Sequence, residues 1–168
     1  MNTLIIETVL YLLFALPASF IDARKFRIPF YYILGGTILF FALIIFRTVK
    51  IVPLTEKLFW ENVMYIFLSM ISSALLFGFA RLLSSGGLGK GDILFAVFTA
   101  LYCRFYENLI AAVFAALSGI LFYLVLRICQ KKLKRQNVAY PVFAIPFVPF
   151  ITFGALLDKF LFHILPFI

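Results

Sequence analysis

Long apolar runs separated by short charged segments extend along most of the chain. Four stretches contain no charged residue over 19 to 22 positions: 28–46, 62–80, 108–126 and 136–157. A helix rises 1.5 Å per residue, so about 20 residues cross a hydrocarbon layer about 30 Å thick. These four stretches therefore predict four transmembrane helices.

Two further segments are less regular. Segment 1–20 is long enough to cross but contains Glu7, and only 11 uncharged residues lie between Asp92 and Arg104. We predict that both cross, the second from about residue 91 to residue 106. The chain then has six spans joined by short loops.

Composition supports a membrane protein and excludes a sizeable soluble domain. Apolar residues make up 65% of the 168 residues and charged residues only 13%, about half the usual share in soluble domains. Mean hydropathy is +1.12. The predicted fold class is an all-α membrane protein, a six-transmembrane-helix bundle that forms a single integral-membrane domain over 1–168.

The net charge of +8 is more informative about topology than about partners. The basic residues are scattered among apolar helices, so no nucleic-acid partner is expected. Cytoplasmic loops are enriched in Lys and Arg. With the N-terminus and C-terminus both outside, ten basic residues lie in cytoplasmic segments and five in outer ones. If segment 91–106 did not cross, the basic cluster 127–135 would lie outside.

The acidic residues divide between the two sides in this topology. Only Asp22 and Asp92 face the cytoplasm, Asp22 closing the first helix and Asp92 opening the short fourth one. Ionisable groups at membrane depth are candidates for a functional site. Each aspartate also has an ordinary interpretation: Asp92 could be a helix N-cap, and Asp22 a solvated acid paired with Arg24 or Lys25.

A stripe of small residues marks the fifth predicted span. Ala111, Ala115 and Gly119 recur every four residues. Small residues at helical spacing allow two helices in a membrane to approach closely. We interpret this stripe as a packing surface.

Three motifs occur in order along the chain. Gly89-Lys90-Gly91-Asp92 is a GxGD motif, Asp22 is followed by a basic stretch and then Ile28-Pro29, and 145–150 reads Ile-Pro-Phe-Val-Pro-Phe. Together they resemble the type IV prepilin peptidases, part of the GxGD class of intramembrane aspartyl proteases that includes presenilin and signal peptide peptidase.

The resemblance implies an intramembrane aspartic endopeptidase that removes the leader peptide of prepilin-like or preflagellin-like substrates at the cytoplasmic membrane face. Asp22 and Asp92 would be catalytic. The motif residues Gly89, Lys90, Gly91, Pro146 and Pro149 are candidates for substrate contact.

The resemblance also implies the setting of the reaction. Neither a cofactor nor a metal is expected. The partners would be the lipid bilayer and a small membrane protein with a basic leader and an apolar helix. The protein would be a multi-pass protein of the cytoplasmic membrane, with its active site toward the cytoplasm. The sequence predicts no oligomeric state.

Departures from the family pattern bear on substrate contact and on a second activity. Leu94 stands where many members have Lys, and Phe30 where Asn is usual. The cysteine-bearing cytosolic loop of the bifunctional members is missing, so no methyltransferase activity is expected.

The chain is similar to the short forms that process Flp-type pilins or archaeal preflagellins. The alternatives are a non-enzymatic channel, carrier or scaffold, or a peptidase-like pseudoenzyme.

Local residue types give further expectations about the site. Gly89 and Gly91 would allow positive φ and close approach of a substrate, with Gly86 and Gly87 making the loop mobile. Pro146 and Pro149 would interrupt the last span, either as a groove for an extended peptide or as a simple kink. Because Asp92 opens a helix and Asp22 closes one, the helix dipoles predict that Asp92 is the carboxylate and Asp22 holds the proton.

Overall fold

The computed structural model describes residues 2–25, 28–51, 56–83, 88–103, 105–134 and 146–164. Every regular element in these ranges is a helix, which confirms the all-α prediction. The helices are α1 (Asn2–Lys25), α2 (Phe30–Ile51), α3 (Glu56–Leu83), α4 (Lys90–Tyr102), α5 (Phe105–Lys134) and α6 (Val148–Lys159), followed by a π-helical segment, Phe160–Ile164. Gly86, Gly87 and residue 145 of the third motif lie outside the described residues.

Within those ranges, three helical stretches are long and apolar enough to cross a membrane: Leu4–Lys25, Trp60–Leu82 and Phe105–Val125. The apolar part of α2, Phe30–Phe46, is shorter. The outer faces of these four helices carry large apolar side chains, such as Leu13, Ile38, Leu75 and Leu121, each at least 60% exposed. Such faces suit contact with lipid, and six crossings remain a prediction.

The short helix α4 is the centre of the bundle. It contacts each of the other five helices, and eight of its 13 residues are buried. Because protein surrounds it, its length need not match the thickness of the hydrocarbon layer. The helix ends at Tyr102, four residues before the predicted limit of the fourth span, where Cys103 adopts extended backbone (φ −94°, ψ 141°).

Hydroxyl groups hold α1 and α3 against the central helix. Tyr11 and Thr99 hydroxyls lie 3.2 Å apart, and in α3 Ser69 and Ser73 each donate at 3.0 Å to carbonyl oxygens of α4, those of Ala100 and Ala96 respectively. In a membrane, apolar side chains gain little free energy when they exchange lipid contacts for protein contacts. Hydrogen bonds between helices therefore contribute to packing. The paired positions run in opposite directions, so α3 is antiparallel to α4.

The small-residue stripe of α5 packs against α6, as predicted. Ala115 is fully buried and Ala111 nearly so, and a Cβ added to Gly154 of α6 would clash with the Ala111 carbonyl oxygen and lie 2.9 Å from the Ala115 nitrogen. The Lys159 ammonium binds the Glu107 carboxylate farther along the same pair of helices. Backbone contact and an ion pair therefore fix α6 along α5.

The prolines of the third motif mark the beginning of α6. Phe147 is its N-cap, Pro149 lies in the first turn, and Pro146 precedes the helix. Proline is compatible with a first turn because the N–H groups there have no partner within the helix. Whether these prolines interrupt the last predicted span stays a prediction, because residues 135–145 lie outside the described part of the chain.

Candidate active site

Asp22 and Asp92 lie at one end of the bundle, and both are buried. Asp22 is 4% exposed and Asp92 9% exposed. Asp22 lies close enough for its charge to act on Asp92. The fold therefore brings together the two acids that the sequence analysis selected, one from the end of α1 and one from the start of α4.

Asp92 occupies the third position of α4, after the N-cap Gly89. Its Oδ2 atom accepts a hydrogen bond of 2.8 Å from the Gly89 backbone N–H. This is half of a capping box, because glycine has no side chain to complete it. The alternative that Asp92 is the N-cap residue is wrong by three positions, although its side chain does cap the helix.

Asp22 accepts a backbone hydrogen bond from another helix. The Val148 N–H, in the first turn of α6, donates to Asp22 Oδ2 at 3.1 Å. Asp22 therefore ends α1 but faces the N-terminus of α6, where unpaired N–H groups and the helix dipole favour an anion. Sequence inspection could not detect this contact, because it joins the first helix to the last.

The alternative that Asp22 is a solvated acid is wrong, because its side chain is buried. The basic residues that follow it point elsewhere. Arg24 and Lys25 are exposed, and the Arg24 guanidinium lies 4.1 Å from the centre of the Phe20 ring. Their charges lie at the rim of the site.

The two motif glycines allow neighbouring groups to approach the backbone closely, and neither adopts an unusual backbone conformation. Gly89 has φ −69°, and Gly91 is helical, so the expectation of positive φ is wrong. A Cβ at Gly89 would lie only 3.1 Å from Asp92 Oδ2. A Cβ at Gly91 would lie 3.8 Å from Ile28, which brings the Ile28-Pro29 motif against the GxGD motif.

Phe147 connects the third motif to the neighbouring helices. Its ring packs against those of Phe77 and Phe150, with centroids 6.1 and 6.2 Å apart, and a Cβ at Gly119 would touch it at 3.0 Å. This packing holds the residue immediately before Val148, the donor to Asp22. The segment with Pro146 and Pro149 thus supplies a backbone donor to the site, whereas Lys90 is exposed at its edge.

Arg81 belongs to the site but was not selected from the sequence. It lies in the last turn of α3, its Nη1 donates a 2.7 Å hydrogen bond to the Leu88 carbonyl oxygen, and its charge acts on Asp92. A signal was present, because Arg81 ends an apolar run on the side of the membrane predicted for both aspartates.

Other described acids lie at the opposite end of the bundle. Glu107 and Asp158 are near the start of α5 and the end of α6, and Asp158 is fully buried within its helix. This separation agrees with the predicted division of acids between the two sides. Among described residues, no group of three or more His, Cys, Asp or Glu side chains could hold a metal ion.

Comparison with known proteins assigns the chain to a family. No curated protein and no solved structure matches it. The model of the type IV leader peptidase family matches residues 9–124, well over half of the chain and a range that includes Asp22 and Asp92. The chain therefore belongs to the type IV leader peptidase family, a family of proteases.

Proposed function

We propose that the protein is an aspartic endopeptidase in which Asp22 and Asp92 form the catalytic pair. The observation that carries the proposal is the burial of two carboxyls, Asp22 and Asp92, at the same end of the bundle. Membership of a leader peptidase family supports peptide hydrolysis as the reaction. Burying two carboxyls near each other costs free energy, and sharing one proton lowers that cost. A buried pair of this kind is therefore a candidate for a functional site.

The mechanism follows from holding two carboxyls together. Like charges at close range disfavour double ionisation, so one acid keeps its proton. The carboxylate takes a proton from water as the water oxygen attacks the peptide carbonyl carbon, while the protonated acid donates to the carbonyl oxygen. The tetrahedral intermediate then collapses: the acid that took the proton from water passes it to the leaving amine, and the other acid regains its proton from a hydroxyl group of the intermediate. Neither a metal nor a nucleophilic side chain is needed.

The surroundings of the two acids support different roles. Burial disfavours the anion of Asp92, and the Gly89 N–H and the nearby charge of Arg81 offset part of that cost. Asp22 has the Val148 N–H, while the nearest basic residues along α1 are exposed. We therefore assign Asp92 as the carboxylate that activates water and Asp22 as the acid that holds the resting proton.

The proposed substrate is a prepilin-like or preflagellin-like membrane protein with a basic leader followed by an apolar helix. The scissile bond would lie at the cytoplasmic face, where the leader meets the bilayer. Exposed Arg24, Lys25 and Lys90 at the aspartate end are consistent with a cytoplasmic orientation. Phe30 and Leu94, which depart from the family pattern, are exposed near the two motifs and available for substrate contact.

Co-expression with a leader-bearing pilin from the same cell tests the proposal. Mass spectrometry of the pilin should show loss of the leader only when the peptidase is present. The substrate panel should include every pilin-like protein of that cell with a basic leader before an apolar helix. Intact leaders across this panel, with the peptidase inserted and folded, would favour a pseudoenzyme or a non-enzymatic membrane protein.

A further inference from the structure

The peptide group between Leu88 and Gly89 is hydrogen-bonded at both of its polar ends. Its carbonyl oxygen, on Leu88, accepts from the Arg81 guanidinium at 2.7 Å. Its N–H, on Gly89, donates to Asp92 Oδ2 at 2.8 Å. One peptide group therefore stands between a cation of α3 and a carboxylate of α4.

The hydrogen bond that the peptide group accepts from Arg81 strengthens the hydrogen bond that it donates to Asp92. A cation at the carbonyl oxygen draws electron density through the amide and makes the N–H a better donor. Hydrogen bonds to a carboxylate are already stronger than those between neutral groups. The Arg81 charge also acts on Asp92 directly. Both effects favour the ionised form of Asp92.

The packing of α3 against α4 fixes the position of Arg81. Ser69 and Ser73 bind backbone oxygens of Ala100 and Ala96, and the same antiparallel register brings position 81 opposite position 88. The serine contacts join the two helices without touching a carboxylate. Removing a serine contact therefore shows what the loss of a purely structural link between α3 and α4 does, and serves as the control for Arg81.

We propose that Arg81 is a positioning residue that acts on the carboxylate of Asp92 through the Leu88–Gly89 peptide group. Arg81 keeps Asp92 ionised and keeps one of its oxygens directed toward Gly89, which leaves the other for water. The inference rests on the proposed function, because it assigns a role relative to the catalytic carboxylate.

Infrared spectroscopy of the purified protein tests the relay without a substrate. The carboxylate band of Asp92 is assigned by its loss in Asp92→Asn. Arg81→Gln should shift this band or reduce its intensity, and Arg81→Lys should restore part of it, because lysine keeps a charge and a donor. Ser73→Ala should leave the band unchanged. An unchanged band in Arg81→Gln would overturn the inference.

Cleavage kinetics give an independent readout. Relative to the unaltered protein, Arg81→Gln should lower kcat about tenfold or more with KM within about twofold, because the relay acts on the catalytic group and not on substrate binding. Arg81→Lys should recover part of kcat, and Ser73→Ala should stay near the unaltered value. Loss of activity in both Arg81 variants that only parallels a loss of thermal stability would make the contact structural.

The failure of this inference is distinguishable from failure of the proposed function. An inactive Asp92→Asn beside a fully active Arg81→Gln would overturn the role of Arg81 and leave the aspartate pair intact. An active Asp92→Asn would overturn the proposed function itself.

Discussion

Each of the two buried aspartates receives a backbone N–H from the beginning of a helix. Gly89 supplies it to Asp92 at the start of α4, and Val148 supplies it to Asp22 at the start of α6. Since helix N-termini stabilise anions, this feature alone favours ionisation of both acids. The Arg81 guanidinium, joined to Asp92 through the Leu88–Gly89 peptide group, is the asymmetry on which the proposed assignment of roles rests.

Infrared difference spectra of the carboxyl band at neutral pH test this assignment. We expect a protonated-carboxyl signal that is lost in Asp22→Asn and retained in Asp92→Asn, because we propose that Asp22 holds the resting proton. A signal that survives in the Asp22 variant and disappears in the Asp92 variant would reverse the roles. Titration of the pair belongs to both groups, so the comparison uses both variants.

Inhibitor sensitivity tests the chemistry proposed for the two aspartates. EDTA, serine-directed phosphonates and thiol alkylation should each leave cleavage largely intact, because two carboxyls and water suffice for hydrolysis. Cleavage of the pilin leader, followed by mass, is the measurement. Inhibition by chelator that added zinc reverses would contradict a metal-free aspartyl mechanism.

Sequence motifs identified the aspartates but not their donors. Asp22 and Asp92 stand out because each acid lies beside a recognisable motif on the predicted cytoplasmic side. The Val148 N–H carries no side-chain signal, and its contact with Asp22 depends on how α6 packs against α1. Likewise, the sequence does not show why Gly89 is a glycine. In the structure, a Cβ at this position would lie 3.1 Å from Asp92 Oδ2.

At the scale of helices, the apolar runs predicted where helices occur better than where they end. Helix α5 continues to Lys134, beyond the uncharged run that stops before Arg127. Charged residues limit the part of a helix that lies in hydrocarbon, but the backbone hydrogen bonds continue in water. The early end of α4 at Tyr102 depends on the turn at Cys103, for which no glycine or proline gave a signal.

The contact between α5 and α6 predicts a large effect for one methyl group. Gly154→Ala places a Cβ against the Ala111 carbonyl oxygen, so the helices must separate, and we expect a destabilisation of about 1–3 kcal/mol or more. Thermal unfolding in detergent measures it. Gly35→Ala in α2 is the matched control, because nothing lies within 4 Å of its added Cβ.

The control variant should be neutral or stabilising by up to about 1 kcal/mol, since alanine is the better helix former. Equal stability of Gly154→Ala and Gly35→Ala would contradict the packing of α6 on α5. The Gly154 variant should also lose cleavage activity, because a shift of α6 moves the Val148 donor away from Asp22.

For the whole molecule, orientation in the membrane decides which side the aspartates serve. In a background with Cys103→Ser and Cys129→Ser, Lys25→Cys marks the aspartate end and Glu61→Cys the opposite end, and both positions are exposed. A membrane-impermeant maleimide should label Glu61→Cys in intact spheroplasts and Lys25→Cys only after permeabilisation. The reverse pattern would contradict the predicted topology, and labelling of both in intact spheroplasts would contradict a bundle that crosses between them.

The central claim is that Asp22 and Asp92 act together to hydrolyse the leader peptide, and leader loss during co-expression measures it most directly. Asp22→Asn and Asp92→Asn should each reduce cleavage about a thousandfold or more while the protein remains inserted and folded, because neither acid alone performs both proton transfers. Asp158→Asn is the matched control, since Asp158 is a buried carboxyl at the opposite end of the bundle, and it should cleave nearly normally. Near-normal processing by either inserted Asp22 or Asp92 variant would contradict the account.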